Sequence, residues 1–196
     1  MRNNMLLAAK VNWHEVWLYI VIYFKSLYHS LPTLLFIILF LVLVVGISLA
    51  ISSKRIRHKR SFIGLLLLLQ YVILLSCITV VLRPAQDTHM FNFMPFWSYR
   101  AFYEGQNAVM AEKIVNVALF IPIGVLLPVA FREIKWYNLL LISVLISISI
   151  EVMQFVLYRG YSEVDDVIHN TLGALIGLGL YGIFDGIIKR MRNAYQ

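Results

Sequence analysis

Apolar residues run along this chain in long blocks, broken by short polar stretches that are mostly basic. A helix needs about 20 apolar residues to cross the hydrocarbon core of a bilayer. Leu31–Ile51, Phe62–Leu82 and Tyr137–Tyr158 meet that length. Ile114–Phe131 is shorter and carries Pro122 and Pro128, while Asp166–Ile188 begins with polar residues and is rich in glycine. Both fit a membrane helix when neighbouring helices satisfy the freed backbone groups. The pattern predicts an all-α, polytopic transmembrane helical bundle of about five spans. Upstream, Trp13–Tyr28 holds an apolar stretch, Val16–Phe24, that is too short to span. Its Trp17, Tyr19, Tyr23 and Phe24, with Glu15 and Lys25 near the ends, suit an amino-terminal interfacial helix in the headgroup region. A distorted sixth span is the alternative, and it would reverse the side of the amino terminus. Four regions follow: an interfacial segment (1–30), two spans with a basic loop (31–82), a helical core (83–188) and a basic tail (189–196).

Composition fits this picture. Of the 196 residues 61% are hydrophobic and 14% charged, with a mean hydropathy of +0.79. A soluble domain of that size has too little polar surface to coat so much apolar surface. The net charge of +7 would suit nucleic acid, but its placement argues for topology instead. Lys54, Arg55, Arg57, Lys59 and Arg60 follow the first span, Arg132 and Lys135 the third, and Lys189, Arg190 and Arg192 the fifth. That side carries ten Lys/Arg against two acids, and the other side seven against seven. By the positive-inside rule the basic loops and the C-terminus are expected in the cytoplasm. The lone Cys77 sits in an apolar run and reads as a packing residue.

Polar residues inside the spans carry the candidate chemistry. Ser143, Ser147, Glu151, Gln154 and Tyr158 are spaced by 4, 4, 3 and 4, one stripe on a helix. Glu151 falls about 10 Å inside the outer end of its span. A carboxylate facing lipid there is costly, so it must meet a partner, a wet cavity or a proton. In the fifth span Asp166, Asn170, Gly173 and Gly177 follow at 4, 3 and 4, with His169 on the flank. Gly173 and Gly177 form a GxxxG pair, which permits close backbone approach. Asn116 adds an amide near the outer end of the third span, where Pro122 is expected to bend the helix. Asn116, Glu151, Gln154, Asp166 and Asn170 are thus candidates to line an outward-facing cavity, with Arg83, Asn92 and Arg159 at its rim. Asp165 competes with Asp166, because adjacent helical positions differ by about 100°. Interhelical packing is the bland alternative for each of these residues. Asn, Gln and a protonated Glu serve as interhelical glue worth about 0.6–2 kcal/mol each, and GxxxG needs only packing to explain it.

Other chemistry lacks a motif. No HExxH or CxxC occurs and no His pair stands at helical spacing, so a metal at His169 with its neighbouring acids is not expected. Neither a P-loop, a Rossmann fingerprint nor GxSxG is present, and no cofactor is expected.

Three segments together resemble the VanZ-like family of bacterial cell-envelope proteins. They are FNFMPF (Phe91–Phe96), NVALFIPIGVLLPVAF (Asn116–Phe131) and EVMQFVLYRGYSEVDDVIHNTLGALIGLGLY (Glu151–Tyr181). The likeness runs from about Leu82 to Gly182, so the helical core of 83–188 is VanZ-like. The family's motif positions fall on Asn92, Pro95, Phe96, Asn116, Pro122, Gly124, Glu151, Gln154, Asp165, Asp166, Asn170, Thr171, Gly173 and Gly177. Glu163 stands where the acidic turn often has Asp. The resemblance implies a multi-pass protein of the bacterial cytoplasmic membrane, in a family associated with low-level tolerance of teicoplanin, a lipoglycopeptide. It brings no settled mechanism.

Three functions stay open. One is a non-enzymatic factor whose outward polar cavity binds a membrane lipid or a lipid-linked or lipid-tailed envelope molecule. Another is an intramembrane enzyme on a lipid headgroup, with Glu151 as general acid or base and Asp166 or His169 as its partner. The last is a small transporter with Glu151 as proton relay, which would need a homo-oligomer. Nucleic acid is not an expected partner.

Overall fold

The computed structural model describes residues 12–30, 33–52 and 58–194. Arg2, Lys10, Lys54, Arg55 and Arg57, and with them most of the first basic loop, lie outside the described residues. The helices are α1 (Trp13–Ser30), α2 (Thr33–Ser52), α3 (Lys59–Ser76), α4 (Trp97–Tyr103), α5 (Asn107–Ala130), α6 (Trp136–Val156) and α7 (Val164–Ala194). Two short strands, β1 (Phe91–Asn92) and β2 (Ser162–Glu163), pair in parallel. Among the described residues the protein is all-α apart from this pair and the isolated bridge Ala85–Arg159.

Lys59–Val81, Asn107–Ala130, Trp136–Val156 and Val164–Ala194 are long and apolar enough to cross a membrane. A further apolar stretch, Ile38–Leu49, belongs to the 20-residue α2. Outward-facing side chains such as Leu141, Leu145, Val152 and Val156 are more than half exposed, as expected where lipid rather than water is the solvent.

α5 is the hub. It packs most extensively on α7, then on α3, α1, α4 and α6. Three glycines bring α5 and α7 together. A Cβ on Gly173 would collide with the Val117 carbonyl oxygen, one on Gly177 with that of Ile121, and one on Gly124 with that of Ala174. Around this contact Leu68, Leu75, Phe120, Ile123, Leu127, Leu139, Ile150 and Ala174 form the main core. A smaller core of Val16, Phe102, Met110 and Ala111 fixes α1 on α4 and the start of α5, helped by a hydrogen bond from Asn107 Nδ2 to Glu15 (2.7 Å).

α3 ends in a π-helical turn, Cys77–Val81. Beyond it, the segments 82–96 and 157–163 close one end of the bundle. Gln86 N–H donates to the Tyr158 carbonyl and Ser162 N–H to that of Met90, and Ala85 bridges Arg159.

Three boundaries differ from the sequence reading. The third span starts at Asn107 rather than Ile114, because the helix runs on through charged residues that find buried partners. α7 extends from Val164 to Ala194, past the apolar run into the basic tail. Tyr158 drops off the polar stripe: α6 stops at Val156, and Tyr158 takes the left-handed conformation (φ 55°) that ends the helix.

Candidate functional site

The other four residues of the stripe, Ser143, Ser147, Glu151 and Gln154, are all buried on α6. On α7 the buried Asp166 and Asn170 turn toward this stripe, whereas Gly173 and Gly177, expected on the same face, pack against α5. Asn170 Nδ2 donates to Ser147 Oγ (2.9 Å). Gln154 Nε2 donates to the Thr79 carbonyl in the π turn (2.9 Å), while its Oε1 is buried without a protein partner. Glu151 Oε2 accepts the Glu163 backbone N–H (2.9 Å). Glu151, Gln154, Asp166, Asn170 and Asn116 line one gap together with Thr79 and Arg83. The gap is only about 10 Å³, the space of one water molecule. The expected cluster assembles, but it encloses no room for a headgroup.

The centre of this cluster is a residue that spacing arguments passed over. Lys113 has a side chain that is 0% exposed, and its Nζ donates to both Glu163 and Asp166. Glu163 Oε2 also accepts the Trp97 indole N–H (3.1 Å), and Lys113 Nζ lies 5.8 Å from that ring's centroid. Beside it Arg83 donates to Glu112 (2.8 Å). Two cations and four carboxylates (Glu112, Glu151, Glu163, Asp166) thus gather at one end of the bundle, and Glu151 is the carboxylate with no cation among its hydrogen-bond partners. Burial lifts the Glu163 carboxyl above its ordinary value, with Lys113 pulling it back down. Burial also works against the charge on Arg83, but Glu112 and Tyr23 outweigh it and hold the guanidinium above its usual value. Lys113 was legible in principle: in a helix begun at Asn107 it stands three residues before Asn116, on the same face.

Other candidates position backbone. Asp165 turns away from the gap and accepts from Ser98 N–H (3.0 Å) and Ser98 Oγ (2.5 Å), and from Phe96 N–H. It thereby fixes the start of α4, where Phe96 takes a left-handed conformation (φ 63°). The choice between the two aspartates is settled by α4: Asp165 serves it and Asp166 serves the network. Asn92 Oδ1 accepts the Met94 N–H (2.9 Å) and shapes the FNFMPF turn. Arg159 donates to the Val81 and Arg83 carbonyls (2.9 and 2.7 Å), holding the rim together. His169 is occupied by the Asp165 carbonyl (2.6 Å) and the Tyr99 hydroxyl (3.0 Å). Among the described residues no three His, Cys, Asp or Glu side chains form a group able to hold a metal ion.

Comparison with known proteins decides the family. The VanZ/LLP1 family model matches residues 62–185, which run from the first turn of α3 into the last third of α7 and include every residue of the buried network. The chain belongs to the VanZ/LLP1 family. It is 42% identical over 72 residues to Protein VanZ from Enterococcus faecium, a stretch that is 37% of this chain and 45% of that protein. This VanZ/LLP1 chain therefore spans a little under half the length of the curated relative it matches. No solved structure matches it. Because the matched region starts at Phe62, α3, which supplies Thr79 and its π turn, belongs to the VanZ/LLP1 unit.

Proposed function

We propose that this protein sits in the bacterial cytoplasmic membrane with its C-terminus in the cytoplasm. Its buried polar network then lies toward the outside, where it gives low-level tolerance of a teicoplanin-type glycopeptide by engaging a lipid-linked or lipid-tailed envelope molecule. The observation that carries the reading is the charge network itself. Ionisable groups at membrane depth are costly to keep and are ordinarily functional; Glu151 lies inside a span, and five more ionisable groups converge with it at one end of a small bundle. The excess of Lys/Arg at the opposite end supports the orientation. Membership of the VanZ/LLP1 family and the likeness to Protein VanZ support the glycopeptide link.

The test is teicoplanin susceptibility in a sensitive bacterium expressing wild type, Glu151→Gln or Asp166→Asn at matched membrane levels. Wild type is expected to raise tolerance and either variant to abolish the gain. No gain with wild type at normal insertion would sink the glycopeptide reading.

One observation favours a second reading. The water-sized gap lies against Glu151 and the unpartnered Gln154 Oε1, an arrangement suited to a general acid or base that passes a proton through one water to a lipid headgroup held outside the gap. Turnover of a lipid by purified wild type, lost in Glu151→Gln with binding retained, would select it.

A further inference from the structure

The polar network is closed at its centre but has an open flank. Between α1 and α5 runs a groove of about 340 Å³, within the range of about 300–1,000 Å³ usual for small-molecule sites. Ile20, Ile22 and Val115 wall it, Ala108 leaves it open, and Tyr19, Tyr23, Ser26 and Glu112 supply its polar groups. This groove does not depend on a loosely placed helix. α1 is pinned on α5 by Val16, which is 2% exposed, by the Trp13–Phe102 ring contact (5.6 Å) and by the Glu15–Asn107 bond.

The groove's chemistry selects its occupant. The Glu112 side chain is 37% exposed, whereas Arg83, which pairs with it, is 17% exposed. Glu112 lines the groove and Arg83 does not, so among the described residues Glu112 is the charged side chain that meets what enters. An anionic head is repelled there, and a head rich in hydrogen-bond donors is favoured. The apolar walls next to the bilayer suit an alkyl or acyl tail. By contrast, the groove between α2 and α3, lined by Leu39, Phe40, Leu43, Leu67 and Leu74, presents no charged side chain.

We infer that the α1–α5 groove is the entry site for an amphiphile with a hydrocarbon tail and a donor-rich head, an amine or a sugar, which Glu112 reads. The inference rests on the proposed envelope function, since it supplies that function's ligand class and its route to the network through Arg83.

The experiment uses the full chain in phosphatidylcholine nanodiscs and three photoreactive probes of equal tail length: an alkyl glucoside, an alkylamine and a fatty acid. The glucoside or the amine is expected to label α1 and α5 saturably. Glu112→Gln is expected to weaken that labelling about tenfold, the loss of one hydrogen bond to a charged group. Ala108→Trp, which fills the groove, is expected to abolish it, and Ile22→Trp does the same from the opposite wall should Ala108→Trp melt early. Labelling by the glucoside alone or the amine alone both support the site and say which head it takes. Fatty acid labelling as strong as the other two, or labelling centred on α2 and α3 and unchanged by either tryptophan, overturns it. Because labelling is read on purified protein, absence of teicoplanin tolerance with labelling intact refutes the cellular role and leaves the groove standing.

Discussion

Lys113 is the residue on which the polar end depends. Its ammonium is fully buried between Glu163 and Asp166, so removing it strands two carboxylates away from water. Losing one partner of a buried ionic network costs roughly 3–5 kcal/mol, whereas neutralising all partners together is far milder. Lys113→Met is therefore expected to lower the thermal midpoint sharply in detergent. Lys113→Met with Glu163→Gln and Asp166→Asn should recover much of the loss. A single variant as stable as wild type would mean that the ion pairs do not form. At this scale the sequence was partly legible. Glu151 and Gln154 stood out because acids and amides among Leu, Ile and Val are conspicuous, and a helical repeat aligned them. Lys113 did not, because it lies just ahead of the apolar run of α5 and read as a loop charge. Hydropathy marks where lipid begins, not where a helix begins, and a paired lysine costs the helix nothing.

Among the elements, the α5–α7 contact sets how closely the network's two main helices approach. The GxxxG pair on α7 was evident from spacing, but its partner was not, since the pattern on one helix does not name the other. The structure supplies Gly124 and the backbone carbonyls of Val117, Ile121 and Ala174. Gly173→Ala and Gly177→Ala are each expected to lower the thermal midpoint, because the added Cβ meets backbone that cannot rotate away. Gly179→Ala meets nothing within 4 Å, and is expected to hold stability or to raise it by up to about 1 kcal/mol through helix propensity. Equal effects at all three positions would refute the close approach. The start of α4 provides a separate test. Asp165→Ala removes an acceptor shared by Phe96 and Ser98, a loss of about 0.5–2 kcal/mol by analogy with helix caps. Faster amide exchange is expected at Phe96 and Ser98 while α5 is unchanged. Unaltered exchange there would show that Asp165 does not hold the turn. No local pattern predicts this bond, since it joins residues about seventy positions apart.

For the whole molecule, fold class and family were readable from hydropathy and three motif segments, while the closed state of the polar cluster was not. Whether facing polar residues leave a cavity or fill one another depends on interhelical distance, which three glycines set between α5 and α7. On the proposed function, the end carrying Lys113, Glu151 and Asp166 faces the outside of the cell. The direct measurement is labelling of single cysteines with a membrane-impermeant maleimide in intact cells, on a Cys77→Ala background. Tyr161→Cys reports the polar end, where Tyr161 is 45% exposed, and Glu133→Cys reports the loop between α5 and α6. Tyr161→Cys is expected to be labelled in intact cells and Glu133→Cys only after permeabilisation. The reverse pattern would put the polar network on the cytoplasmic side, out of reach of any extracellular glycopeptide, and would contradict the proposed function.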